Sequence, residues 1–144
     1  MSIITNVDGM YFLSNNHKIY NISEHFKVLE LIRTNQGNKY LRLQIDNCSI
    51  RNVLNMVRLS VVLEGLRKYL GDTQIIINSG YRCKELNAKV NGSPTSYHLL
   101  GAAADIRIAP TPLLRYYFDT LKTFKIVSEV IYHNNYIHVA IYPY

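Results

Sequence analysis

Three side chains in this sequence have the types and settings of metal ligands. His98 stands in Ser96-Tyr97-His98-Leu99-Leu100-Gly101, after a Gly-Ser-Pro-Thr turn and before a glycine, a setting too exposed for a core-filling histidine. Asp105 follows seven residues on, behind Ala102-Ala103-Ala104 and ahead of Ile106. A carboxylate in so small and apolar a strand is costly unless it is paired or metal-bound. The alanines before it leave room for something bulky to approach. His138 lies inside the apolar run Tyr136-Ile137-His138-Val139-Ala140. Two imidazoles and one carboxylate, drawn from three places, form the donor set of a catalytic zinc site, where three protein ligands leave a position open for water. Singly, each has a plainer reading: a strand histidine is often a hydrogen-bonded core residue, and a strand aspartate often sits at an edge.

Elements must hold these residues in place. The clearest is a helix from about Ser49 to Tyr69, in which Ile50, Val53, Leu54, Val57, Val61, Leu66 and Leu70 recur at helical spacing. Gly71-Asp72 closes it. Gln74–Asn78 is a short β-branched run that reads as a buried strand. A turn at Ser79-Gly80-Tyr81 leads to a short helix over Lys84–Val90, stopped by Asn91-Gly92-Ser93-Pro94. Ala103–Ile108 is a second strand, which carries Asp105. Pro112 opens a helix that reaches about Phe124. Lys125–Tyr132 and Tyr136–Tyr142 flank His133-Asn134-Asn135 as a hairpin, which carries His138. Upstream, Ile22-Ser23-Glu24-His25-Phe26 opens a helical stretch that continues to Ile32, with Ser23 as its N-cap, and Asn35-Gln36-Gly37-Asn38 is a turn. The order implies an α+β fold, a small antiparallel sheet with helices packed on one side. Residues 1–19 are polar and irregular, with a short strand around Met10–Leu13, and read as an N-terminal extension to a single domain over 20–144.

Composition narrows the function. A chain of 144 residues suits one domain. It has no apolar run of about 18 residues, so no membrane span is expected. The start, MSIITNVDGMYFLSNNHK, lacks the basic and apolar blocks of a secretory signal. The net charge of +6 favours acidic partners such as nucleic acid or an anionic cell envelope. The basic residues are scattered, without a run of five, which argues against nucleic acid. Cys48 and Cys83 have no paired spacing, so a cysteine metal site is not expected and two free thiols are. A monomer is expected.

The candidate ligands belong to a longer colinear pattern. Ser79-Gly80-Tyr81-Arg82, Leu86-Asn87, Val90-Asn91-Gly92, Ser96-x-His98-x-x-Gly101-x-Ala103-Ala104-Asp105 and Ile137-His138-Val139 follow one another in that order. Together they resemble the zinc D-Ala-D-Ala carboxypeptidase and L-Ala-D-Glu endopeptidase family, whose fold Hedgehog signalling domains share. The resemblance begins near Ile22-Ser23-Glu24-His25-Phe26-Lys27-Val28-Leu29-Glu30, includes Leu66-Arg67, covers about residues 20–144, and is nearest to compact phage-type members. It implies one zinc ion on His98, Asp105 and His138. It implies that Arg82 orients and polarises the substrate peptide, a task suited to a planar fork of donors. Ser96 would hydrogen-bond that peptide, and Tyr81 would pack beneath the arginine. The implied reaction is hydrolysis in the peptidoglycan stem peptide: zinc acidifies water toward a pKa of about 7, and a carboxylate relays its proton to the leaving amine. The protein would then be a phage or bacterial wall-lytic or remodelling enzyme, cytoplasmic until released or carried on a virion.

One part of that pattern is missing. Many relatives carry Glu or Asp three residues before the last ligand, where this chain has Asn135, and others carry Glu just before the hairpin turn, where it has His133. The nearest carboxylate is Glu129. With Asn134-Asn135 as a two-residue turn, Ile131 faces His138 and Glu129 faces the small Ala140, so Glu129, Ile131, His133 and His138 share one side of the sheet. A change of one residue in the loop would reverse this parity. Glu129 is the preferred general base and His133 the next. His17 and His25 match no ligand position, and His25 is expected to pack or cap near the first helix. The competing reading is a catalytically weak module that binds the cell wall or serves in a virion.

Overall fold

The structure is a computed structural model that describes residues 21–144 throughout and, before them, the backbone of residues 4–7, 10–13 and 17–18. In chain order its elements are β1 (Ile4–Val7), β2 (Met10–Leu13), β3 (His17–Lys18), α1 (Val28–Ile32), α2 (Asn38–Asn47), α3 (Ile50–Tyr69), β4 (Ile77–Ser79), α4 (Lys84–Lys89), the short 3₁₀ turn η1 (Tyr97–Leu100), β5 (Ala103–Ile106), α5 (Pro112–Thr123), β6 (Val127–Tyr132) and β7 (Ile137–Ile141). The first three strands form their own antiparallel sheet, and the other four form a second in the order β4-β5-β7-β6. The fold is α+β, as expected.

The longest helix starts where a side chain can satisfy a free N–H. The Ser49 hydroxyl accepts from the Asn52 N–H at 3.2 Å, and the Asn52 side chain accepts from the Ser49 N–H at 2.9 Å. The helix has the expected length, but its apolar stripe is only partly its buried face: Leu66 is buried and Val53 and Leu70 pack against the core. Ile50 and Val61 are 65% and 66% exposed, whereas Asn52, Asn55, Met56, Leu59, Ser60 and Leu63 point inward. The reason is polar. Asn52 and Asn55 donate to the carbonyls of Leu99 and Leu100, so this face binds the turn η1 as well as the apolar core. Satisfied amides remove the penalty that would otherwise turn them outward.

Three further expectations shift. Residues 22–26 are not helical: the Ile22 N–H donates forward to the Phe26 carbonyl, opposite to the helical sense, and Asn21 bridges Lys27 as a strand would. Helix α1 begins only at Val28, and Glu30, not Ser23, covers the Lys27 N–H, at 2.9 Å. Strand β4 covers Ile77–Ser79, because pairing with β5 begins at Ile77↔Ile106. Strand β5 ends at Ile106.

Helix α2 was not expected from the sequence, although Tyr40, Leu41, Leu43 and Ile45 pack against the core. Its buried residues are Gln44 and Ile45. Gln44 is fully buried. Its amide nitrogen donates to the carbonyls of Ile32 and Tyr81, and its amide oxygen accepts from the Cys83 N–H. One side chain thus joins the end of α1 to the backbone on both sides of Arg82. Replacement of Gln44 by Leu leaves three backbone groups without partners, each costing about 1–3 kcal/mol. A loss of at least about 3 kcal/mol in denaturant unfolding is therefore expected, and a loss below about 1 kcal/mol would remove the clamp from this account.

Candidate metal centre

The central pair of strands sets the geometry. In the β5–β7 ladder Asp105 stands directly opposite His138. Residues directly opposite share a face. The other face, with Ala104, Ile106, Ile137 and Val139, is buried in the core. In the β6–β7 hairpin Ile131 pairs with His138 and Glu129 with Ala140, the register read from the sequence. The His133 N–H closes the Asn134-Asn135 turn on the Tyr136 carbonyl at 3.0 Å. The long Glu129 side chain reaches diagonally from its pair to His138.

His98 arrives from η1. Ser96 caps this turn by accepting the His98 N–H at 3.1 Å, and Gly101, at φ +75°, ends it. A side chain at Gly101 would also run into the Asn52 carbonyl oxygen, 2.6 Å from its Cβ. The space beside the alanines is therefore filled by η1 itself, and His98 is 1% exposed rather than open as its surroundings in sequence suggested. The candidate donor atoms of His98, Asp105 and His138 lie within 4.8 Å of one another.

The hydrogen bonding suits a metal ion. His98 Nδ1 lies 2.7 Å from the Gly80 carbonyl and Nε2 lies 3.2 Å from Asp105 Oδ1. His138 Nδ1 lies 3.0 Å from the same Oδ1, and Nε2 lies 2.7 Å from Glu129 Oε1. Both rings face acceptors with both nitrogens, yet a neutral imidazole has one N–H. The pattern is complete when each ring is doubly protonated or when a metal ion takes the inner nitrogens. With Gly80 and Glu129 fixing the outer N–H groups, His98 Nε2 and His138 Nδ1 turn lone pairs toward Asp105. Outer partners of this kind orient metal-bound histidines. The residues therefore fit a metal ion.

Charge agrees with geometry. Burial raises the Asp105 carboxyl, but hydrogen bonds and charge from His138 and His98 outweigh this and hold it well below the usual carboxylate range. Burial lowers His138, and the hydrogen bonds and charges of Asp105 and Glu129 outweigh this and raise it above 6.5.

Arg82 is set beside the cluster. Its N–H donates to the His98 carbonyl at 2.9 Å, which ties arginine and ligand through the backbone. It lines a cleft of about 210 Å³ together with Asp105, Ser79 and Asn78. Burial lowers its guanidinium from its ordinary value, opposed by the nearby Asp105. Its Nε is buried without a partner, a donor awaiting an acceptor. Tyr81 is in the core beneath it.

The remaining candidates are placed as follows. Ser96 caps η1 and retains its hydroxyl hydrogen to donate. Glu129 holds His138. His133 stacks on Tyr136 at the hairpin turn, with ring centroids 4.1 Å apart, and no hydrogen bond joins it to the cluster among the described residues. His25 is tied through both backbone and ring to Glu64 of α3. The side chain of His17 lies outside the described residues. Cys48 and Cys83 are free and buried. Gln44, Asn52 and Asn55, which hold the backbone around Arg82 and His98, carried no signal in the sequence.

A family model described as Peptidase M15 matches residues 24–140. No curated protein matches the chain.

A proton on His138 competes with metal. Metal affinity is expected to fall by up to about tenfold for each pH unit below the raised His138 value and to level off above it. The metal-free fold has the opposite sign: its stabilisation by protonated His138 is complete below 6.5 and is lost as pH rises through the folded value. Competition titrations with zinc between about pH 6 and 8 read the first effect, and an affinity flat across that range would remove His138 from the ligand set.

Proposed function

The chain belongs to the peptidase M15 family, and from that premise we propose that it is a zinc-dependent peptidase that hydrolyses a bond in the peptidoglycan stem peptide. The observation that carries this reading is the convergence of two imidazoles and one carboxylate, their donor atoms within 4.8 Å of one another, beside an arginine with a buried, unpartnered Nε. Zinc suits a borderline N₂O donor set with an open side.

His98, Asp105 and His138 would hold the ion, and Lewis acidity is what it contributes when bound: acidified water and a polarised carbonyl. Gly80 keeps the outer proton of His98 in place, and Glu129 that of His138. Arg82 receives a carbonyl or carboxylate oxygen of the substrate on its free donors. Ser96 offers its hydroxyl hydrogen to the same peptide. Glu129 engages the outer nitrogen of His138, and in this proposal its carboxylate takes the proton of the attacking water and delivers it to the leaving amine only once it has swung off that nitrogen. His133, at the turn, is the second candidate for that step. The net positive charge suits an anionic wall as the place of action. A wall-binding module without turnover is the second reading, favoured by Asn135 standing where relatives carry a carboxylate.

The purified protein should hold about one zinc per chain, and mass spectrometry of a peptidoglycan digest should show a new stem-peptide fragment. Zinc without fragments from several wall types would favour the binding module, and no zinc after reconstitution would dissolve the proposed centre. Glu129→Gln keeps an oxygen to accept the His138 N–H, so it should retain metal while turnover falls by about 10²–10⁴. Full turnover in that variant would leave Glu129 with the positioning task alone.

A further inference from the structure

We propose that the basic groove leading away from Asp105 is a second substrate subsite, which takes a carboxylate carried by the peptide beyond the group that Arg82 holds. This rests on the peptidase reading and names the kind of peptide the site accepts.

The groove begins at the end of the strand that carries the ligand. Arg107 follows Asp105 by two residues, just past the end of β5, and lines the groove that adjoins the cleft of Asp105. Its N–H pairs with the Ile76 carbonyl, and the Ile108 N–H turns back to the Ile106 carbonyl, so the chain bends at Arg107 while still tied to the segment that leads into β4. Arg107 Nε donates to Asn78 Oδ1 at 2.9 Å, and Arg33 Nη2 donates to the Ile77 carbonyl at 3.1 Å. Both arginines are thus anchored on β4 by one nitrogen each. A guanidinium has five N–H donors, so most of each fork is left for a ligand.

A cavity of about 1190 Å³ lies among these residues, lined by Lys27, Arg33, Arg67 and Arg107, with Glu30 as the carboxylate among the described lining residues. Glu30 is already engaged with the Lys27 N–H. Arg67, which lines the groove from α3, has its Nε buried without a hydrogen-bond partner. The protein thus surrounds this space with donors and provides few acceptors. The smaller cleft of Arg82 and Asp105 shares Arg33, Thr34, Asn35 and Asn78 with the groove, so the two spaces adjoin. A peptide whose scissile bond lies at Asp105 can therefore continue into the groove. Planar arginine forks match carboxylates, and the site for hydrolysis at its end favours a peptide over a phosphate polymer.

The test uses the zinc-loaded full chain and a pair of peptides, L-Ala-γ-D-Glu-L-Lys-D-Ala-D-Ala and the same peptide with the D-Glu α-carboxylate converted to a carboxamide. The wild type should prefer the acid. In Arg107→Gln and in Arg33→Gln the acid-over-amide ratio of kcat/KM should fall by about tenfold, the worth of one charge-assisted hydrogen bond, with the change in KM. An equal fall on both peptides, or an unchanged ratio, overturns the subsite. If neither peptide is cut, the peptidase reading fails by itself, and the subsite is decided by binding of the fluorescently labelled acid and amide. A preference for the acid that is lost in Arg107→Gln upholds it. Equal binding of the two, or Arg107-dependent capture of soluble teichoic acid in place of the acidic peptide, overturns it.

Discussion

One carboxylate oxygen, Oδ1 of Asp105, faces two imidazoles at 3.2 and 3.0 Å, and much of the molecule serves to keep them there. A charge in a strand between the buried Ala104 and Ile106 is tolerable only with partners. His138 comes from the adjacent strand by register alone. His98 comes from a turn that must be folded back over the sheet, and α3 supplies the amides that hold it. The outer nitrogens are then bound by Gly80 and Glu129, so each ring has its inner edge turned to the carboxylate. With neutral rings the arrangement has more acceptors than protons, and either a second proton on each ring or a metal ion on the inner nitrogens completes it.

The arginine depends on the same framework. Its backbone is bonded to His98 at the N–H and flanked by the Gln44 clamp at Tyr81 and Cys83. A buried polar network of this kind specifies one arrangement when every member is satisfied. Arg82 and His98 therefore move together, and a shift of α2 would reach the cleft through Gln44.

The glycines of the family pattern have local physical causes. At Gly80 a Cβ would collide with the backbone of Leu31, where the Tyr81 N–H meets the Leu31 carbonyl at 2.7 Å. At Gly92 it would strike the Asn87 side-chain oxygen and crowd Arg82. At Gly101 the positive φ and the Asn52 backbone both exclude a side chain. Each glycine lets two chain segments approach closely enough for a site residue to be held.

The sequence by itself determined the ligand types, the hairpin register and the α+β order, because these follow from local chemistry: side-chain donors, a two-residue turn, and period-two alternation. Parity alone put Glu129 on the side of His138. What only the tertiary structure decided is where non-local polar bonds lead. The buried face of α3 was partly misread because two inward amides, Asn52 and Asn55, find partners far along the chain, which no periodicity records. Helix α2 went unread because its short apolar face, Tyr40, Leu41 and Ile45, is blurred in sequence by the alternation Leu41-Arg42-Leu43-Gln44-Ile45 and its polar anchor is the non-local amide of Gln44. His98 proved buried because the turn that looked open in sequence is folded against α3 and β5. The task of Glu129 as partner of His138 likewise emerged only in three dimensions, since a strand glutamate reads the same in sequence whether it meets solvent, water or an imidazole.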